Sequence, residues 1–578
     1  MPMMKQPPGS PAQRLLQTPS VAALIWALLL FLICLGLLHP RYAINDDLKI
    51  IAILAGYPAG NPAPFPVFSN VALGLFLEPL YSLHTAINWE IMLFVATDLL
   101  AVWALLYILF SVAVQRRYKF IGACIILVSA SYFALNITFT NVAGLACFAG
   151  LSLMLAATRS VQLHRLAAGS GIALVLLGSL IRIEMLALTI PLIVAAIPFI
   201  YRSLRLTNVL LVFGAAGLAV FAGYAFDRLY VRAHPDWNTY YFYNKTAQQL
   251  EDAHRLENAG TRIAHISWSG NDQELFARSF FPDAKIYAVD RIQYLVAHVP
   301  GTAGDPLAAA KIFLRRLVAP ALLPASLMIL ALCLLAVASR ASGAKMLGLG
   351  AIMLTSLAEN FLLVWVYKNP DWALFCSVAT TVMLEALVLY WTGDAEPTAA
   401  TTSPKTRRLQ LAYYGFVPVM LILLGMTAYQ AVVLSNENLH RQEAYRQILA
   451  DISRLQAEGK LAPDAIIISP SHGIPWEWSN PLKLELPGIP FLDTGWITFS
   501  PSYEGALEHY DLQPLPEAFY QKSNVYVMTK QIFKGYLARY YEEHLHITVN
   551  FQPIYTIPSA IHAVEYEDTQ LYKVVQVK

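Results

Sequence analysis

Apolar residues in this chain gather into long runs divided by short basic turns, with two long polar interruptions. A helix crossing a bilayer needs about 20 apolar residues. Runs of that kind lie at 21–38, 88–114, 119–139, 141–158, 166–182, 184–201, 207–226, 318–338, 346–366, 372–391 and 411–434. The pattern predicts about eleven spans. A further apolar stretch, 69–86, contains Glu78, Pro79 and His84. It is expected to lie along the membrane surface within the first outer loop, 39–87.

The polar interruptions are the loop 227–317 and the tail 435–578. A loop of that length is expected to fold and to carry function. The tail predicts a helix near 436–457, strands at Ala465–Ile468, Val525–Met528, near Ile547–Phe551 and at Tyr572–Val577, and a helix near 530–544. Strands interleaved with helices imply an α/β domain. The expected organisation is a membrane module, 1–434, followed by this outer domain, 435–578.

Composition sharpens the class. The chain is 57% hydrophobic and 13% charged, against about 25% charged in soluble domains. The fold class is therefore a polytopic α-helical membrane protein with a C-terminal extracytoplasmic α/β domain, and the lipid bilayer is its first partner. A net charge of +2 gives no sign of a nucleic-acid partner. The five cysteines all fall in apolar runs, which leaves no disulfide framework. The first run is followed by His39-Pro40-Arg41 with no small-residue cleavage site, so it is expected to be retained as a span.

Cytoplasmic loops carry the excess of Lys and Arg. With Lys5 and Arg14 inside, Arg116, Arg117 and Lys119, Arg159 and Arg165, Arg202 and Arg205, Arg340 and Lys345, and Lys405, Arg407 and Arg408 all fall inside as well. The N-terminus is then cytoplasmic. The loops 39–87 and 227–317 and the tail are outside, and the linker 394–406 is inside.

Candidate chemistry concentrates in the first outer loop. Asp46 and Asp47 are adjacent just after the first span. Two neighbouring carboxylates repel, so at least one is expected to meet a cation, a metal or a hydroxyl. A carboxylate suits general-base work, and Mg2+ or Mn2+ on the pair would suit a phosphate leaving group. The pair also reads as a solvated loop start, or as an N-cap for a helix from Leu48 to Gly56. Tyr57, Asn70 and Glu78 follow as candidate substrate contacts. Arg182 and Glu184 stand at the outer end of a span, where an arginine is a functional candidate. Asp227, Arg228 and Arg232 follow another span exit, and Asn271-Asp272 lies in the same outer loop. Glu359 lies in the outer third of its span. Near the presumed site it is a candidate substrate contact, and with Asp98, Asn360 and Glu385 it is also expected to serve helix–helix hydrogen bonds. Ser469–Gly473 lacks a nucleophile elbow, and Trp476, Trp478, Trp496 and Tyr503 are expected in a core or stacked on sugars.

The acidic first loop, the many spans and the soluble outer tail resemble the GT-C superfamily of membrane glycosyltransferases. Asn45-Asp46-Asp47, Gly56-Tyr57, Asn70, Gly74, Leu80-Tyr81 and Asn271-Asp272 resemble poorly characterised bacterial members. The resemblance implies a bacterial inner-membrane enzyme that moves a sugar from a polyprenyl-phosphate-linked donor to an acceptor outside the membrane. Asp46 or Asp47 would then stand at the acidic catalytic position. The related branch usually has Asp-Glu there, so which carboxylate is the base stays open. The other readings are a transporter or lipid flippase using Asp98, Arg182 and Glu385, and a non-catalytic envelope assembly protein whose tail binds a partner.

Overall fold

The computed structural model describes residues 18–577 apart from 112–115, 160–163, 201–203, 253–254, 302–304, 339–342, 367–370, 392–403, 471–472 and 558–567. Lys5, Arg14, Arg202, Arg340, linker residues 394–403, Ser471 and His472 lie outside the described residues.

Helices occupy all eleven apolar runs. They are α1 (Pro19–Gly36), α4 (Trp89–Ser111), α5 (Arg116–Leu135), α6 (Phe139–Ala157), α7 (Arg165–Ile181), α8 (Ile183–Ile200), α9 (Leu206–Arg232), α15 (Leu323–Ala338), α16 (Gly343–Val366), α17 (Asp371–Trp391) and α18 (Pro404–Ala457). Seven of them are long and apolar enough to cross a membrane; α5, α7, α8 and α15 offer shorter apolar lengths. The chain is a polytopic helical membrane protein. α6 is its centre, buried along nearly its whole length, while α9 exposes Leu210, Leu218, Phe221 and Leu229 as a membrane helix at the rim of a bundle would.

Between the first two spans lie β1 (Arg41–Tyr42), α2 (Asp46–Ala55) and α3 (Val71–Leu83). The stretch expected at the membrane surface is thus a short helix. Gly74 of α3 packs on the preceding loop so closely that a Cβ there would stand 2.3 Å from the Pro64 carbonyl oxygen. β1 pairs in parallel with β2 (Asn136–Ile137), the extended link between α5 and α6. That pairing ties the acidic loop to the start of the central helix.

The loop after α9 folds into α10 (Pro235–Asp252), α11 (Arg262–His265), α12 (Gly270–Ala277), α13 (Val289–His298) and α14 (Pro306–Leu317). The tail contains β3 (Ile466–Ser469), β4 (Phe491–Asp493), α19 (Pro501–His509), α20 (Leu515–Gln521), β5 (Val525–Lys530), α21 (Gln531–Tyr540), β6 (Thr548–Thr556) and β7 (Thr569–Val577). Its sheet runs β4-β3-β5-β7-β6, with β3 parallel to β4 and β5, and β7 antiparallel to β5 and β6. Side chains alternate across a strand, and this sheet buries both faces. Ile467, Tyr526 and Met528 join the apolar core continuous with the membrane bundle. Ile466, Ile468, Val525 and Val527 join a second core. Trp237, Tyr243, Trp268, Phe276 and Phe281 of the segment after α9 belong to that second core too, so this segment and the tail are folded around common side chains. The expected break at 434/435 falls inside α18, which continues as one helix of 54 residues.

Candidate active site

One cleft of about 640 Å³ opens where the acidic loop, the ends of α7 and α9, and α10 meet. Asp46, Asn70, Arg182, Glu184, Asp227 and Arg228 all line it. Residues far apart in the sequence are brought together by a small set of polar contacts. The N–H of Asn70 donates to the Leu180 carbonyl at 2.7 Å, and its side-chain amide donates to the Gly223 carbonyl at 2.9 Å. Its Oδ1 accepts from the N–H of Ala72 at 2.9 Å, which makes it the N-cap of α3. Asp227 Oδ1 accepts from the N–H of Val71 at 2.9 Å and adds a carboxylate to that positive helix end. Asn70 and Asp227 therefore shape the wall as well as facing the cleft.

Arg182 is the single extended residue between α7 and α8. The break turns its guanidinium out of the bundle. Nη1 donates to Thr140 Oγ1 at 2.6 Å, the guanidinium lies 4.8 Å from the Phe139 ring centroid, and Nε stands 3.8 Å from the exposed Glu184 carboxylate. Arg228 packs 5.1 Å from the Tyr224 ring centroid. Arg232 and Lys245 line the cleft as well, and among the described residues no ion pair engages Arg228, Arg232 or Lys245. The cleft thus holds four cations against the three carboxylates of Asp46, Glu184 and Asp227. Val220 and Tyr224 of the rim helix α9 supply an apolar wall.

The two adjacent aspartates face different surroundings. Asp46 is half-buried, lines the cleft, and its Oδ1 accepts from Trp496 Nε1 at 2.8 Å. Asp47 is fully buried, and its Oδ1 accepts from the N–H of Phe139, the first residue of α6, at 2.9 Å. Burial, aided by the nearby Asp46 charge, pushes the Asp47 carboxyl up to about 8. It is therefore mainly protonated at neutral pH. Each carboxylate has one oxygen already engaged toward the protein: Asp46 Oδ1 accepts from an indole and Asp47 Oδ1 closes a helix end.

The remaining candidates stand elsewhere. Tyr57 is held by the tail, its OH donating to the Ile489 carbonyl at 3.2 Å and accepting from the N–H of Phe491 at 3.1 Å. Glu78 is half-buried on α3 and does not line the cleft. Asp272 closes a capping box with Ser269 at the start of α12 and meets His544 Nε2 at 2.8 Å. Asn271 donates to the Tyr536 carbonyl at 3.0 Å. That pair therefore fastens the segment after α9 to the tail. Glu359 lies on α16 with neither carboxylate oxygen partnered among the described residues. The interhelical bond expected near it is made by Asn360, whose amide donates to Ser377 Oγ at 2.8 Å. Glu385 accepts from Cys333 Sγ at 3.8 Å, and Asp98 is buried within α4.

Sequence reasoning gave no role to Lys245, Asn238 or Asn244, all in the cleft wall. The signal available was the polar, aromatic run from Asn238 to Gln248 directly after a span.

No family model matches the chain, and no curated protein matches it. Among solved structures it is similar to the crystal structure of ArnT from Cupriavidus metallidurans bound to undecaprenyl phosphate, at 11% identity and a TM-score of 0.38, covering 96% of this chain and 97% of that one. At that identity and TM-score, the functional reading rests on the cleft alone.

Proposed function

We propose that the chain is a membrane glycosyltransferase that moves a sugar from a polyprenyl-phosphate-linked donor to an acceptor outside a bacterial inner membrane. The observation that carries this reading is the cleft. It combines a reachable carboxylate and an excess of guanidinium and ammonium groups with an apolar wall on a lipid-facing helix. A phosphate headgroup suits the cations, and an isoprenoid tail suits the groove beside Val220 and Tyr224. The basic residues Arg159, Arg165 and Arg205 cluster at the far end of the bundle, where the Arg205 N–H meets the Thr158 carbonyl at 3.2 Å. By the positive-inside tendency, the cleft then opens on the outer side.

In this mechanism Asp46 takes the proton of an acceptor hydroxyl as its oxygen attacks the anomeric carbon. The bond from that carbon to the phosphate oxygen breaks, and its electron pair leaves on the phosphate. Arg182, braced by Thr140 and Phe139, neutralises the growing charge. Asp47 takes no part in proton transfer.

Purified protein would be assayed with a panel of polyprenyl-phosphate-linked hexoses and pentoses, with native mass spectrometry of co-purified lipid beside it. A folded Asp46→Asn variant should bind the lipid and fail to transfer. Full transfer by that variant would remove Asp46 as the base, and no transfer by the wild type from any donor of the panel would falsify the transferase reading.

A further inference from the structure

Four consecutive tail residues grip the first turn of α2. Asp493 Oδ2 meets Lys49 Nζ at 2.9 Å, and the same Nζ donates to the Thr494 carbonyl at 2.7 Å. Gly495 adopts φ +114°, which L side chains rarely take, and a Cβ there would stand 2.8 Å from Lys49 Nζ. Trp496 then lays its indole N–H on Asp46 Oδ1 at 2.8 Å. Residues three apart on a helix share a face, so Asp46 and Lys49 are covered together by this one turn.

Trp496 is itself fixed. Its carbonyl accepts from the Tyr240 hydroxyl, and its ring meets Phe68 edge-on with centroids 4.7 Å apart. It does not line the cleft. An indole N–H donates and never accepts. It therefore holds one carboxylate oxygen and leaves the other to a ligand, without entering proton transfer.

We infer that Trp496 is a positioning residue for Asp46, so that the outer tail, 450 residues away in sequence, belongs to the catalytic unit. The kinetic side of this inference rests on the transferase reading of the cleft; the coupling of the two side chains does not.

The test uses the full chain and a double-mutant cycle of Asp46→Ala and Trp496→Phe, read by thermal unfolding. Non-additive shifts are expected, because each change removes the same bond. Turnover is read with a polyprenyl-phosphate-linked sugar from the panel above. Trp496→Phe should lower kcat roughly 10- to 100-fold, the scale of a small misplacement, with KM for the lipid donor unchanged. Replacing Trp496 by benzothienylalanine, which exchanges only the N–H for sulfur, should lower kcat equally and secures the reading if the phenylalanine variant folds poorly. Additive unfolding shifts, an unaltered kcat, or full activity of the benzothienylalanine protein would each overturn the inference while leaving the role of Asp46 standing. Full transfer by the Asp46→Ala variant would instead remove the catalytic role of Asp46, and the positioning role with it, while no transfer by the wild type from any donor of the panel would remove the transferase reading.

Discussion

Asp47 Oδ1 lies 2.9 Å from the backbone nitrogen of Phe139, where it closes the N-terminus of the central membrane helix. This bond separates two adjacent carboxylates that look alike in the sequence. An asparagine at 47 keeps an oxygen for the same N–H, so Asp47→Asn should fold and retain most transfer, whereas Asp46→Asn should lose it. Side-by-side turnover of the two variants checks this.

The buried Asp47 carboxyl also predicts a pH dependence. Its carboxyl is held at about 8 in the folded chain against an ordinary 3.8. Between those values the folded state holds a proton that the unfolded state has released. The stability contribution is thus full below about pH 4 and declines as pH rises to about 8, by at most about 1.4 kcal/mol per pH unit. Thermal unfolding of wild type should fall across this window relative to Asp47→Asn. Parallel curves would contradict it.

Arg182 is braced on Thr140 and Phe139 with its fork directed to the cleft. A lysine offers no planar fork. Arg182→Lys should reduce kcat/KM for the lipid donor on the order of 10- to 100-fold, consistent with loss of about 1.4–3 kcal/mol of charge stabilisation. Steady-state kinetics with varied donor reads it directly.

Lys49 and Asp493 form a largely buried pair. Removing one partner leaves a buried charge, which costs about 3–5 kcal/mol. Asp493→Ala should lower the unfolding temperature and expose the tail to protease, while Lys49→Met with Asp493→Leu together should recover much of the loss.

The embedded acids separate the transferase reading from a transporter. Asp98 and Glu385 lie inside the bundle, away from the cleft. Asp98→Asn and Glu385→Gln should leave transfer within about threefold of wild type, since each keeps a polar group for helix packing. Loss of transport on changing Asp98 or Glu385, with changes at Asp46 and Asp47 tolerated, would favour the transporter.

Much of the bundle was legible because apolar run length is a one-dimensional signal. Each of the eleven expected runs is a helix, and the strands at 466–469, 525–530, 548–556 and 569–577 follow β-rich runs. The strand Phe491–Asp493 was not legible, since three residues beside Pro490 and Gly495 show no alternation. Which aspartate faces the cleft could not be read either: neighbours on a helix point about 100° apart, and the choice is made by the Asn136–Phe139 link some 90 residues later. Nor was the common core of loop and tail legible. Aromatic density at Trp237–Tyr243 marks burial, but not the partner that does the burying.

The 54-residue helix α18 has one more consequence. Each residue advances a helix by about 1.5 Å and turns it by about 100°. A single residue inserted after Leu434 would swing the tail by that angle and carry Trp496 off Asp46. A seven-residue insertion would nearly restore the angle yet lift the tail by about 10 Å. Rotational phase and height are therefore locked together, and the spacing between the helical bundle and the tail cannot drift by small insertions as it can across an ordinary linker.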